Sequence, residues 1–376
     1  MEIRKSMLPV SRPFSGKEEI EAVAEVLNSG WWGKGSKVAQ FEKDFAEMVG
    51  AKFAIAVTSA SHGQDLIFKA MNFNEVDVIN PTISFMTTAV VPLWNNCTSN
   101  IVDVDPINLN IDVLDVKKSL KNNTNVIIAV NNAGVPAPIN AIRDFFNGFI
   151  IEDCAHSCYF PGAGKQGDAA VWSFQAVKTM PTGDGGMITT DSEELYNKIL
   201  PLTWLGISST YSRTRDQAKN NLIASPGYTW DYEIEVLGYK AYMIDITAAL
   251  GLVQMKKLDA NLSWRRHIQN RYNSELHESV QRPAWTETVQ YYGARVSSEI
   301  RDELIAFLAS KLIHTSVHYK PLHLHPLTKQ NRTYPIANVE WLKLISLPCH
   351  NAMTNEDIDY VIYWVNYFLA SKSTKN

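Results

Sequence analysis

Only four cysteines occur in 376 residues. That is too few for the disulfide framework of a secreted domain, so a reducing cytoplasm is the expected setting. Long apolar runs are missing too. No stretch approaches the ~18 residues that a membrane-crossing helix needs, and no membrane partner is expected. The opening MEIRKSMLPVSRPFSG has no apolar segment before a cleavage site, so no secretory signal is read there. Neither sign of charge dominates: 35 basic and 39 acidic side chains leave a net charge of −4. Such a balance gives no reason to expect nucleic acid as a partner. Internal repeats and low-complexity tracts are absent as well.

What is present is an alternation. FAIAV (53–57), VDVI (76–79), NIVDV (100–104), NVIIAV (125–130) and FIIE (149–152) are strand-like runs, and the segments between them can each hold a helix. Two more apolar runs follow, Ala169 to Phe174 and Met187 to Thr190. Short apolar runs bounded by turn residues are what buried parallel strands look like. The expectation is an α/β fold: a large domain with a mostly parallel seven-stranded sheet covered by helices. At 376 residues the chain exceeds the ~250–300 at which one core stops growing. A smaller C-terminal α+β domain is therefore expected over 261–376, after a large domain over 1–260. It should hold a strand near 291–297, a helix near 299–311, a short strand at 313–317 and a last helix from Glu356 to Ala370. Ser15 with Glu18 forms a capping-box pattern ahead of an N-terminal helix. From Asp245 to about Tyr272 a single long helix is expected to bridge the two parts. Residues 208–231 are polar and aromatic, and read as a long surface excursion.

Three segments carry candidate chemistry. Asp153 ends one apolar run, where a carboxylate either begins a turn or faces a cationic ring nitrogen. Lys178 follows another in an apolar, glycine-punctuated neighbourhood. It is either an exposed loop lysine or a desolvated amine of lowered pKa, suited to a Schiff base with a carbonyl. Thr58-Ser59-Ala60-Ser61 comes directly after the first run, and is either a plain helix cap or an anion site at a helix N-terminus. Together they describe a ring-nitrogen partner, a Schiff-base lysine and a phosphate anchor, the needs of pyridoxal phosphate. The loop Gly30-Trp31-Trp32-Gly33-Lys34-Gly35 has no preceding strand and matches no phosphate-binding glycine motif, so its tryptophans are read as covering something.

The chain resembles the DegT-type sugar aminotransferases, pyridoxal-phosphate enzymes of the aspartate-aminotransferase fold that aminate nucleotide-linked keto sugars. The motifs behind the resemblance include Gly33-Lys34-Gly35, Thr58-Ser59-Ala60-Ser61, Pro81-Thr82-Ile83-Ser84-Phe85, and Glu152-Asp153-Cys154-Ala155-His156. They continue with Ser173-Phe174-Gln175-Ala176-Val177-Lys178, Gly185-Gly186, Gly238-Tyr239-Lys240, His318-Tyr319 and Ser346-Leu347-Pro348. By this resemblance Lys178 binds the cofactor aldehyde and shuttles a proton, and Asp153 holds the pyridine nitrogen. His156 lies near the ring and its hydroxyl, Phe85 stacks on the ring, and Ser59, Ala60, Ser61 and Ser173 hold the phosphate. Lys240 reaches the phosphate of a neighbouring subunit, which implies a homodimer.

Glutamate is the implied amino donor and a nucleotide-linked keto sugar the acceptor, for O-antigen, capsule or other glycoconjugate amino sugars. Trp31, Trp32, Lys34, His318 and Tyr319 are the candidates for substrate contact. Relatives with histidine at the lysine position dehydrate their sugar; Lys178 points away from that alternative. Lys178 and Asp153 together also point away from a non-catalytic, regulatory homologue. The sequence departs from the family at His62-Gly63-Gln64, where a small-Ala-Leu run is usual, at Tyr242, and at Asn131-Asn132-Ala133-Gly134. Histidines 318, 323 and 325, and Cys154 with His156 and Cys158, lack a second ligand pair at zinc spacing, so no metal is expected.

Overall fold

The computed structural model describes residues 1–158, 160–207 and 233–373; the excursion at 208–231 lies outside them. Seven strands form the central sheet: β1 (Phe53–Val57), β2 (Asp77–Pro81), β3 (Thr98–Val102), β4 (Thr124–Val130), β5 (Phe149–Asp153), β6 (Ala169–Ser173) and β7 (Gly186–Thr190). Their spatial order is β1-β7-β6-β5-β4-β2-β3. All seven are buried over at least four consecutive residues because helices cover both faces, which is why they read as apolar runs instead of alternating ones. β7 is the exception in direction, running antiparallel to both β1 and β6. The cause is local. Residues 174–185 join β6 to β7 with no crossover helix, and a parallel return needs one. The carboxyl ends of the other six strands, and the amino end of β7, consequently meet at one edge.

The runs at 76–79 and 100–104 form strands displaced by up to two residues, because β2 pairs Asp77 with Thr98 and Pro81 with Val102. Asp103 leaves the ladder and instead accepts the backbone N–H groups of Ile336 and Ala337, each at 2.9 Å.

Helix α1 (Lys17–Ser29) is capped one residue later than Ser15 and Glu18 suggest. Gly16 is its N-cap, and Glu19 Oε2 accepts the Gly16 N–H at 2.7 Å. Glu19 is only 2% exposed and also takes the Lys257 amine, which fixes its place better than solvent-facing Glu18 could. Helix α2 (Ser36–Val49) sends Phe41 and Phe45 against Phe174 and Trp172, with ring centroids 5.2–5.4 Å apart. Pairs of this kind add roughly 0.5–1.5 kcal/mol each to their area burial. Their partners belong to the β6 end, so this cluster buttresses the edge where the site forms. Helix α3 (Ala60–Ala70) lies over β1, β6 and β7, and a Cβ on Gly63 would stand 3.2 Å from Ile188 Cγ1. An added Cβ there would need the Ile188 side chain to give by a few tenths of an ångström.

Two helices, Asp245–Lys256 and Leu258–Glu275, replace the single long one, because the Lys257 N–H bonds Gln254 O in a tighter turn. The second is shared between two cores: Leu262 packs in the cluster beneath the large sheet, Ile268 and Tyr272 in the C-terminal one. The C-terminal region adds a two-stranded antiparallel sheet, β8 (Tyr292–Arg295) with β9 (Leu344–Leu347), and helices Arg301–Ser310 and Asn355–Ser373. The strand expected at 313–317 is reduced to single bridges, Ile313 with Leu8 and Ser316 with Ser346. The β9 pairing takes the role it would have had. Among the described residues, no helix is long and apolar enough to cross a membrane.

Candidate active site

At the common strand edge lies a cavity of ≈ 550 Å³, bordered by Ser59, Ala60, Ser61, Asp153, Ser173 and Lys178, among others. Its size is within the range of small-molecule sites. Each residue arrives by the same route. The chain leaves a buried strand, and the next few positions turn into the opening.

Ser59 is the N-cap of α3, its hydroxyl accepting the His62 N–H at 3.2 Å. The first N–H groups of the helix lack intrahelical acceptors and carry the positive end of its dipole. Ser61 Oγ is 2.7 Å from Thr87 Oγ1, so a second hydroxyl joins the cradle from α4 (Thr87–Trp94). Gly186 starts β7 flush against this turn: a Cβ there would stand 2.5 Å from Ala60 N. Only glycine allows that approach.

Asp153 is 5% exposed at the end of β5. Its Oδ1 accepts the Ala155 N–H at 2.9 Å and its Oδ2 the Gln64 side-chain N–H at 2.7 Å. Burial pushes its pKa above the usual carboxylate value, against the pull of those two donors and the Lys178 cation. Lys178 follows β6 and is half-buried. Burial lowers its pKa to about 8, opposed by the charge of Asp153 and by Cys158. The lysine is thus neither a solvated surface charge nor locked in an ion pair.

His156 Nε2 and Tyr319 Oη share a hydrogen bond of 2.9 Å, and the two rings lie near parallel. Burial, then the Lys178 cation, holds His156 well below its ordinary pKa, so the ring is neutral. Its Nδ1 is buried with no partner among the described residues. His318 stacks on Tyr291 at 4.5 Å, bonds Ser346 Oγ at 2.8 Å, and is lowered by burial to about 4. Phe85 lies across the opening, 53% exposed, its ring tilted toward Tyr319 at 6.2 Å.

Sequence reasoning missed Thr87 and Tyr291, and singled out Gln64 and Asn132 only as departures from the family pattern. Tyr291 donates to Asn132 Oδ1 at 2.8 Å and meets His156 edge-on. No motif marks these residues; they enter through contacts between distant parts of the chain. The segment Trp31 to Lys34 lies away from this chain's cavity. Trp31 Nε1 donates to Lys34 O, Trp32 Nε1 to Leu27 O, and Lys34 pairs with Glu42 at 3.1 Å. Lys240 is exposed, and it too lies outside the cavity of its own chain. His323 points elsewhere again, stacked on Tyr334 at 3.8 Å and bonded to Thr82 and Asn338.

Residues 13–366 match the model of the DegT/DnrJ/EryC1/StrS aminotransferase family. The chain belongs to that family. The spore coat polysaccharide biosynthesis protein SpsC of Bacillus subtilis is 36% identical over 383 aligned positions, covering 96% of each chain. Among solved structures, the aminotransferase TlmJ from Streptoalloteichus hindustanus superposes with a TM-score of 0.89 at 28% identity, covering 98% of this chain and all of that one. The putative sugar aminotransferase Spr1654 from Streptococcus pneumoniae, in its PMP form, gives 0.86 at 28% identity, covering 96% of this chain and 98% of its own.

This DegT-family chain is accordingly a sugar aminotransferase, a transaminase that uses pyridoxal phosphate. The cavity fits that group on its own evidence. It offers an anion cradle at α3, an acceptor-only carboxylate at Asp153, an amine of lowered pKa at Lys178, and a bare aromatic face at Phe85. The unpartnered Nδ1 of His156 is a further group that a ring hydroxyl can satisfy.

Proposed function

We propose that this enzyme transfers the amino group of glutamate to the ketone of a nucleotide-linked keto-deoxy sugar. It would work in the cytoplasm as a homodimer, within amino-sugar biosynthesis for O-antigen, capsule or another glycoconjugate. The observation that carries the reading is Lys178: an amine whose pKa burial lowers to about 8, at the end of a cavity holding an anion cradle and a buried carboxylate. Pyridoxal phosphate supplies the electron sink that makes a carbon–hydrogen bond next to nitrogen acidic. The protein's own residues do the rest. Lys178 Nζ takes and returns the proton at the substrate carbon, which an amine titrating near neutrality does efficiently. Asp153, acceptor-only through two N–H donors, would hold the ring nitrogen. Ser61, Ser173 and the N–H groups of Ala60 and Ser61 would hold the phosphate. Phe85 covers the ring face and limits water.

His318 and Tyr319 would contact the sugar from above, both neutral, as suits a hydroxylated substrate. Trp31, Trp32, Lys34 and Lys240 would serve the partner subunit's site, because none of them reaches the cavity of its own chain. The sugar pathway draws support from the name of SpsC, a polysaccharide biosynthesis protein. Four buried free thiols suit a reducing compartment. The test is a panel of nucleotide keto sugars with glutamate, read by mass spectrometry of the aminated product. Formation of 2-oxoglutarate with an amino sugar is expected. A product that has lost water and gained no nitrogen would put the dehydratase reading in its place.

A further inference from the structure

Gln64 is a costly residue where it stands. Its side chain is fully buried on α3, Nε2 donates to Asp153 Oδ2 at 2.7 Å, and Oε1 has no partner among the described residues. A buried amide oxygen without a donor costs roughly 1–3 kcal/mol. A leucine or methionine would fill nearly the same volume without that cost. Packing therefore does not call for an amide here; what the amide provides is a donor to a buried carboxylate. That bond is the one side-chain hydrogen bond Gln64 makes among the described residues. The amide could not turn over, since Oε1 would then face Oδ2, acceptor against acceptor.

We infer that Gln64 is a positioning residue that keeps Asp153 ionised and aimed into the cavity, and so sets how strongly the enzyme charges the cofactor's ring nitrogen. The inference rests on the reading of Asp153 as the partner of that nitrogen. Burial favours the neutral acid, and two N–H donors hold the anion: Ala155 from the chain's own turn and Gln64 from α3. The other titratable groups near the carboxylate are Lys178 beyond β6, Tyr319 from the C-terminal region and the adjacent Cys154. Lys178 can no longer contribute its full charge once it is joined to the cofactor. Gln64 is then the donor on Oδ2 that persists through the reaction. Gly63, one residue earlier, lets α3 lie close against the side chains of Ile188 and Val171, where an added Cβ would stand 3.2 and 3.4 Å away.

The experiment uses holoenzyme and titrates its visible absorbance band with pH. A positive ring nitrogen lowers the pH at which the linkage to Lys178 gives up its proton; a neutral one raises it. Gln64→Met should move the midpoint up by about one pH unit and weaken pyridoxal-phosphate affinity about tenfold, one unit being a tenfold change. Its apo form should melt close to the wild-type temperature, since the orphaned Oε1 is gone but buried Asp153 Oδ2 loses its donor. Gln64→Leu is the second variant should the methionine form not fold. Asp153→Asn should shift the midpoint further in the same direction, and Gln64→Met added to it should shift nothing more. A Gln64→Met midpoint equal to wild type, alongside a displaced Asp153→Asn, would overturn the role of Gln64 alone. An unmoved Asp153→Asn would instead remove the reading of Asp153 on which it stands. Lower stability with an unchanged midpoint would assign Gln64 to packing.

Discussion

The two walls of the cavity are built in different ways. The floor is made by the large sheet: Asp153 and Ser173 end buried strands, and Ser59 to Ser61 and Lys178 follow such strands within five residues. The roof is made by contacts between residues far apart in the chain. Asn132 holds Tyr291, Tyr291 carries His318, and Tyr319 bonds His156 across 163 positions of sequence. The floor supplies groups that charge, hold or carry protons. The roof supplies neutral aromatic and imidazole groups, their pKa values displaced by burial toward the uncharged form. On the function proposed above, cofactor chemistry would sit on the rigid element, and substrate recognition on the part that can differ without disturbing it.

If that division is right, Lys178→Ala gives the largest effect. Turnover should fall about 10⁴-fold or more, the upper range for loss of one acid–base group. Its circular dichroism and melting should stay near wild type, since among the described residues Lys178 makes no ion pair that holds the floor together. Borohydride reduction followed by peptide mass mapping should label Lys178 in the wild type and nothing in the variant. Label at another lysine would move the chemistry out of the floor.

The pH dependence of cofactor capture comes next in size. Apo-enzyme with Lys178 near 8 should bind the aldehyde more slowly as pH falls below that value, approaching tenfold per unit and about fiftyfold between pH 8 and pH 6. Above 8 the rate should level off. The same displacement has a stability consequence. The folded chain loses the proton at about 8 and the unfolded one near 10.5, so apo-protein stability should rise with pH across that window. A capture rate still climbing tenfold per unit at pH 10 would mean the lysine is fully solvated.

Floor and roof also differ in how far the sequence revealed them. The apolar runs at 53–57, 125–130 and 149–152 announced the sheet because strands covered on both faces need unbroken hydrophobicity. Asp153 and Lys178 could be singled out because strand ends aim their next residues at one edge. The direction of β7 was not legible, since antiparallel return depends on a connection whose loop conformation leaves no periodic trace. Tyr291 was invisible for a related reason, and Asn132 showed only as a departure from the family pattern: the two meet only when the C-terminal region folds back. Gln64 showed only as a departure from the family pattern, and its partner was needed to give it a meaning.

Tyr319→Phe tests the roof directly. It removes one hydrogen bond to a buried neutral histidine, which corresponds to roughly 0.5–1.5 kcal/mol, or about two- to tenfold. The loss should fall on the sugar half-reaction, with the glutamate half-reaction and cofactor affinity nearly unchanged. Equal losses in both halves would show that Tyr319 serves the ring through His156, and the division between the walls would need redrawing.

The smallest effect is the sharpest test of the floor, and it concerns Ser59. Its hydroxyl already accepts the His62 N–H as the cap of α3. A hydroxyl committed to that acceptor role still has its own proton to donate, so it could cap the helix and hold a phosphate oxygen together. Ser59→Gly separates the two. Glycine at an N-cap costs only a few tenths of a kcal/mol relative to serine, so the melting temperature should barely move. If the backbone N–H groups of Ala60 and Ser61 and the Ser61 hydroxyl carry the anion, pyridoxal-phosphate affinity should change less than about threefold, a few tenths of a kcal/mol. A tenfold loss with unchanged melting would mean that the Ser59 proton points into the cavity. The cradle would then depend on a side chain, and a floor built by strand ends would owe part of its binding to a cap.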